Sequence, residues 1–243
     1  MKTSLKTFHA CLLALGVSFM ALPALADTLY WTNWTSQVAG NPGGSASGTI
    51  TIGSDIINVT YSGEVASVSD QGNWSQGVNS GGVSSYTNPG TGLGTVDNAP
   101  LPSTVSVPLT GGNRTIDTIY FSSPVLDPVM AIQSLGQPGL TISYDFINAP
   151  FTLLDSGSGH WGGSSSGSMT QSGDNLFGTE GNGIIQFDGV YSSISWTVPN
   201  AEYYHMFTVG APDAASSVPE PATMLLFGIG LASLAGVIKS RKA

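Results

Sequence analysis

From Thr28 to Val209 the chain is a succession of short β-branched and aromatic runs cut by glycine and proline, and no stretch holds a helical period. Such runs can bury one face only as strands, and the punctuation keeps each of them short. Thr28–Val38 predicts a first strand. Ser47–Ile52 and Asp55–Val65 flank Gly53-Ser54, the pattern of a hairpin with a tight turn. Thr115–Phe121, Val129–Leu135 and Leu140–Ile147 follow, with Phe151–Leu154 as a further short run. A Gly/Ser loop is expected over 156–168, then strands at Gly183–Phe187, Val190–Val198 and Tyr203–Val209. In the Val190–Val198 run, Val190, Ile194, Trp196 and Val198 fall on one face, and Tyr191, Ser193, Ser195 and Thr197 on the other. One buried and one wet face is the signature of an antiparallel sheet. Residues 69–104 are rich in Gly, Ser, Asn and Pro and read as loop. Roughly ten short strands without a repeat period predict an all-β fold, an antiparallel β-sandwich of jelly-roll-like type. No linker-like break divides the body, so one domain is expected over 27–210.

Cys11, the one cysteine, lies within the first 26 residues, so the body has no disulfide to rely on and must be held by its core. The body carries fourteen acids and one base, Arg114, a net charge of −13. Phosphate binding needs a basic stripe, so nucleic acid is excluded as a partner, and anionic lipid with it. The five tryptophans embedded in β-branched runs also argue against a disordered body.

The two ends have a different character. Residues 1–26 read as a signal peptide: Lys2 and Lys6, the apolar run Ala10–Leu22, then Ala24-Leu25-Ala26 as the site for signal peptidase. No lipobox surrounds Cys11, which argues against a lipoprotein. At the other end, residues 211–221 form a linker ending in Pro219-Glu220-Pro221. Residues 222–238 contain no charge and read as a transmembrane helix of about 25 Å. Lys239, Arg241 and Lys242 lie in the tail 239–243, and by the positive-inside rule they stay cytoplasmic while the body lies outside.

Val218-Pro219-Glu220-Pro221, an apolar span and a basic terminus, in that order, resemble the PEP-CTERM sorting signal. The resemblance covers about 25 of 243 residues. It implies a Gram-negative bacterium and processing by an exosortase, an integral-membrane enzyme. It also implies delivery to the cell surface or an extracellular polysaccharide matrix after transient tethering in the inner membrane. Phrases in the body such as FSSPVLDPVMAIQSLG and FGTEGNGIIQF are similar to an uncharacterised domain of PEP-CTERM proteins, which brings no activity with it.

Catalytic motifs are weak. Gly163–Gly167 matches G-x-S-x-G and Gly157–Gly162 matches G-x-G-x-x-G, but neither has the strand and helix that such motifs need. His160 and His205 lack the spacing of zinc ligands. Glu180 with Asp174 and Asp188 offers oxygen donors for a structural calcium, without a D-x-D-x-D loop. No cofactor is otherwise implied. Aromatic rings suit the C–H faces of sugars, and Trp34 and Trp161, near loops or strand ends, are the candidate glycan contacts. Trp196 reads as core. The sequence therefore predicts an exported, exosortase-sorted surface or matrix protein without catalytic activity. The alternatives are a carbohydrate-binding module for matrix polysaccharide or a secreted hydrolase.

Overall fold

The computed structural model describes residues 28–66, 100, 105–112, 115–158 and 168–213. The predicted hairpin forms as β3 (Gly40–Ile52) and β4 (Asp55–Val65), in register from Ser45↔Ser62 to Ile52↔Asp55. Gly53 opens its two-residue turn at φ 59°, a left-handed conformation that costs glycine little. The other strands are β1 (Leu29–Trp31), β2 (Asn33–Val38), β5 (Val107–Gly111), β6 (Asp117–Leu126) and β7 (Val129–Leu135). They continue with β8 (Ile142–Phe146), β9 (Phe151–Ser158), β10 (Ser168–Ser172), β11 (Asn175–Thr179), β12 (Gly181–Phe187), β13 (Val190–Thr197) and β14 (Ala201–Pro212).

All the pairings are antiparallel. One sheet has the order β1-β14-β7-β12-β9, with β5 also on β14; the other runs β10-β11-β8-β13-β6-β4-β3-β2. Inward side chains of both sheets meet in one apolar cluster that includes Ile50, Val59, Ile119, Ile194 and Trp196 from the second sheet and Ile132, Ile185, Phe187, Phe207 and Val209 from the first. The fold is all-β, as the short runs predicted. Among the described residues no helix is long and apolar enough to cross a membrane. The segment 222–238 lies outside them, as do the signal region and most of 69–104.

Four local readings change. Thr28–Val38 is two strands, because the chain crosses between the sheets at Thr32. There the Thr32 N–H and hydroxyl both donate to the Val209 carbonyl, at 2.9 and 2.7 Å. The predicted face pattern of Val190–Val198 fails at its start. A bulge between Tyr191 and Ser193 opposite β6 shifts the alternation, so Val190 is 67% exposed while Tyr191 packs against the core. The Gly/Ser segment 156–168 is trimmed by strands, since β9 extends to Ser158 and β10 begins at Ser168. Finally, β10 and β11 form an unpredicted hairpin through Gly173-Asp174, with Gly173 at φ 60°. Its strand SMTQS carries little hydrophobic period, and only pairing to β11, itself paired to β8, and packing of Met169 make it a strand.

The two sheets approach closely where β11 passes β7. A Cβ on Gly178 would meet the Leu135 carbonyl oxygen at 2.5 Å, so only glycine fits without displacement. Overpacking of this kind costs about 1–3 kcal/mol. Gly178→Val is therefore expected to lower the urea midpoint without changing the m-value; an unchanged midpoint would mean the two strands do not touch there.

Candidate functional site

Buried titratable side chains converge in the core between β4, β6, β8 and β14. Glu64, near the end of β4, is 1% exposed. Its carboxylate accepts hydrogen bonds from Asn41 Nδ2 at 2.9 Å, from the Thr110 N–H at 2.9 Å, from the Thr110 hydroxyl and from the Gly111 N–H at 2.8 Å. It thus ties the β3–β4 hairpin to β5 of the opposite sheet. Asp117, at the start of β6, is also 1% exposed. Its Oδ1 accepts from the Glu64 N–H at 2.8 Å and lies 2.6 Å from the Tyr61 hydroxyl oxygen. Burial pushes its carboxyl up to about 6, against the opposing pull of the Tyr61 and Glu64 N–H hydrogen bonds. Tyr61 lies equally close, 2.6 Å, to the Glu64 carbonyl oxygen. Its single proton serves one acceptor at a time, so both contacts are hydrogen bonds when Asp117 is protonated.

His205 and Glu202 form the second part. A register shift in β14 between Ala201 and His205 brings the two side chains onto one side, with His205 Nδ1 2.7 Å from Glu202 Oε1. The same oxygen accepts from the Gly136 N–H at 2.9 Å. The Tyr144 ring lies against His205, centroids 5.4 Å apart, and burial raises its phenol well above the ordinary value. Trp196 lies between Tyr61 and Tyr144, stacked on each at 6.0 and 5.7 Å, with Phe207 edge-on at 5.1 Å. A histidine held by a carboxylate is half of a nucleophile-activating arrangement, whose other half is a hydroxyl on the far nitrogen. Neither His205 nitrogen makes a hydrogen bond of ordinary geometry, Nδ1 lying close to Glu202 without one, and His205 is 0% exposed. Among the described residues the cluster is enclosed, and its hydrogen bonds join strands of both sheets.

The candidate residues of the sequence are scattered. Trp34 is 5% exposed, donates its indole N–H to Thr208 Oγ1 at 3.1 Å and meets Phe207 edge-on. Its ring faces the core instead of a sugar, because β2 turns it inward. Trp161, His160, Ala24, Ala26, Pro219, Glu220, Pro221, Lys239, Arg241 and Lys242 lie outside the described residues. Trp196 is core, as expected. Glu180 accepts from the Ser134 hydroxyl at 2.7 Å, and burial raises its pKa. Asp174 lies at the other end of β11, roughly 20 Å away by strand rise. Among the described residues no group of three or more His, Cys, Asp or Glu could hold a metal ion.

The outer face of the eight-stranded sheet has a different chemistry. Ala46, Val59, Ile119 and Ile194 point into the core, so their strand neighbours point out. By register, Ser47, Thr60, Tyr120 and Ser193 form one row across β3, β4, β6 and β13. Ser45, Ser62, Thr118 and Ser195 form the next. Hydroxyls touch across strands, Ser36 to Ser47 at 2.6 Å and Thr118 to Ser195 at 3.0 Å. No charged residue occurs in 45–49, 58–62, 118–122 or 193–197, and Asp145 of β8, opposite Thr197, borders these rows. The wet face of β13 was legible in the sequence; the rows were not, because they depend on register.

An all-β domain of two antiparallel sheets, with a sealed polar cluster inside and a neutral hydroxyl face outside, is what the described residues define. The chain's C-terminal residues 217–242 match the family model of the PEP-CTERM protein-sorting motif. The tail thus carries a sorting signal that marks an exported chain for an exosortase. The match covers the tail and not the β-domain. No curated protein and no solved structure matched the chain.

Proposed function

We propose that this is an exosortase-processed protein of the cell surface or extracellular matrix of a Gram-negative bacterium, with a non-catalytic β-sandwich as its working part. The sorting motif at 217–242 carries the reading. Its physical logic is consistent: an uncharged span followed by Lys239, Arg241 and Lys242 holds the tail in the inner membrane, with the acidic body outside. Signal peptidase would act after Ala26 and exosortase near Pro219-Glu220-Pro221. Support for a non-catalytic body comes from the enclosure of the His205–Glu202 pair. A second reading, a carbohydrate-binding module, is favoured by the neutral hydroxyl face.

The test is the intact mass of the protein recovered from the host's surface and medium, with membrane fractions alongside. A chain lacking 1–26 and the residues beyond the PEP motif is the expected product. A surface form that retains 222–243 would make it an ordinary single-pass membrane protein and end the proposal.

A further inference from the structure

We propose that the outer face of the eight-stranded sheet, centred on Tyr120, is a binding surface for an uncharged polysaccharide. The inference rests on the reading of the protein as exported and deepens its carbohydrate-binding form. Three observations carry it. The first is composition by position: Tyr120 is flanked in its row by Thr60 and Ser193, with Ser47 beyond Thr60. Hydroxyl groups recur about every 4.8 Å across the strands and about 6.7 Å along them. Each donates and accepts, as the hydroxyls of a glycan do, so a sugar chain can exchange its water hydrogen bonds for equivalent ones.

The second is Tyr120 itself. It is 49% exposed in the middle of a polar row, away from any core contact that would explain an aromatic there. A half-exposed phenol ring offers a C–H face of a pyranose a platform and its hydroxyl a hydrogen-bond partner. The third is charge. The body carries fourteen acids against Arg114, yet none of the acids lies in the four segments that build this face. Glu64 and Asp117 point inward, Asp127, Asp174 and Asp188 cluster around Tyr191, and Asp145 of β8, opposite Thr197, borders the face beyond the Ser195 row, away from Tyr120. Anionic polymers and further copies of the chain are repelled by the body as a whole, and the face has no cation to offset this. A protein partner would need an apolar centre, which rows of serine and threonine do not supply. An uncharged glycan meets no penalty on either count. The twist of the sheet suits a flexible chain better than a flat rigid lattice.

The experiment is native affinity electrophoresis of the purified full chain in gels containing hydroxyethylcellulose, galactomannan or xyloglucan, with alginate as the anionic control. The expected result is retardation in at least one neutral gel and none in alginate. Tyr120→Ala should weaken it roughly tenfold with an unchanged unfolding midpoint, and Thr60→Glu should weaken it as well. Absence of retardation in all three neutral gels overturns the proposal. So does retardation that survives both substitutions, retardation in alginate alone, or self-association through this face without glycan. Because the protein is purified, failure of exosortase processing would not alter the outcome, and the two ideas fail separately.

Discussion

Glu64→Ala is expected to lower the free energy of unfolding by about 3–5 kcal/mol, the range for removing one partner from a buried charged network. Four donors converge on this carboxylate, and two of them are backbone N–H groups of β5. Alanine leaves the buried Gly111 N–H and the part-buried donors of Thr110 and Asn41 without this acceptor, and an orphaned buried donor costs about 1–3 kcal/mol before relaxation. The loss should also loosen β5, whose other partner is β14. Glu64→Gln separates charge from contact. It keeps an oxygen for Asn41 and Thr110 but turns an amide N–H₂ toward the Gly111 N–H. An intermediate loss is therefore expected, on the order of half that of alanine by the same reasoning. Urea unfolding of the purified full chain measures both. A loss below about 1 kcal/mol for alanine, the range of an exposed pair, would show that the carboxylate does not bind the two sheets together.

Stability is expected to fall as pH rises from about 4 to about 6, and Asp117→Asn is expected to abolish that part of the fall. In the folded protein burial raises the Asp117 carboxyl to about 6 from an ordinary 3.8. The fold therefore holds a proton that the unfolded chain releases earlier. Its contribution is complete below the unfolded value and is lost as pH rises through the folded one. A shift of this size corresponds to something on the order of 3 kcal/mol. The groups facing the carboxyl are Tyr61 and Glu64 from β4 and His205 from β14. Tyr61 and the Glu64 N–H favour the anion, but not enough to offset burial. Asparagine keeps an oxygen for both and removes the charge. The variant should match or exceed the parent at pH 8 and follow a flatter curve between pH 4 and 6. If it kept the same fall as the parent over that window, the proton would reside elsewhere, and Glu180, also raised by burial, would be the next group to change.

These two carboxylates show where sequence reading stops. Glu64 stands in a predicted strand with no local mark that distinguishes it from a solvated acid. Asp117 stands in another, predicted over Thr115–Phe121. They meet because β4 and β6 are neighbours, with Tyr61 opposite Ile119 and Ser62 opposite Thr118. His205 is similar: its pairing with Glu202 needs the irregularity in β14, since residues three apart on a regular strand point to opposite faces. Trp34 failed as a glycan contact for the reverse reason. Proximity to a strand end was visible in the chain, but the direction of the ring was set by packing against Phe207.

Local chemistry settled a good deal. Gly53-Ser54 between two alternating runs is a tight hairpin turn whatever surrounds it, and the structure has it there. The want of helical period excluded helices from the described body. The order of a proline-flanked acid, an uncharged span and a basic terminus marked the sorting signal, because a signal read by an enzyme must be carried by contiguous residues. Tertiary structure alone decided which acids are sealed in, which tryptophan faces inward and which serines and threonines stand in rows. Those properties depend on register between strands far apart in the chain, and a shift of one residue would turn every one of those side chains to the opposite face.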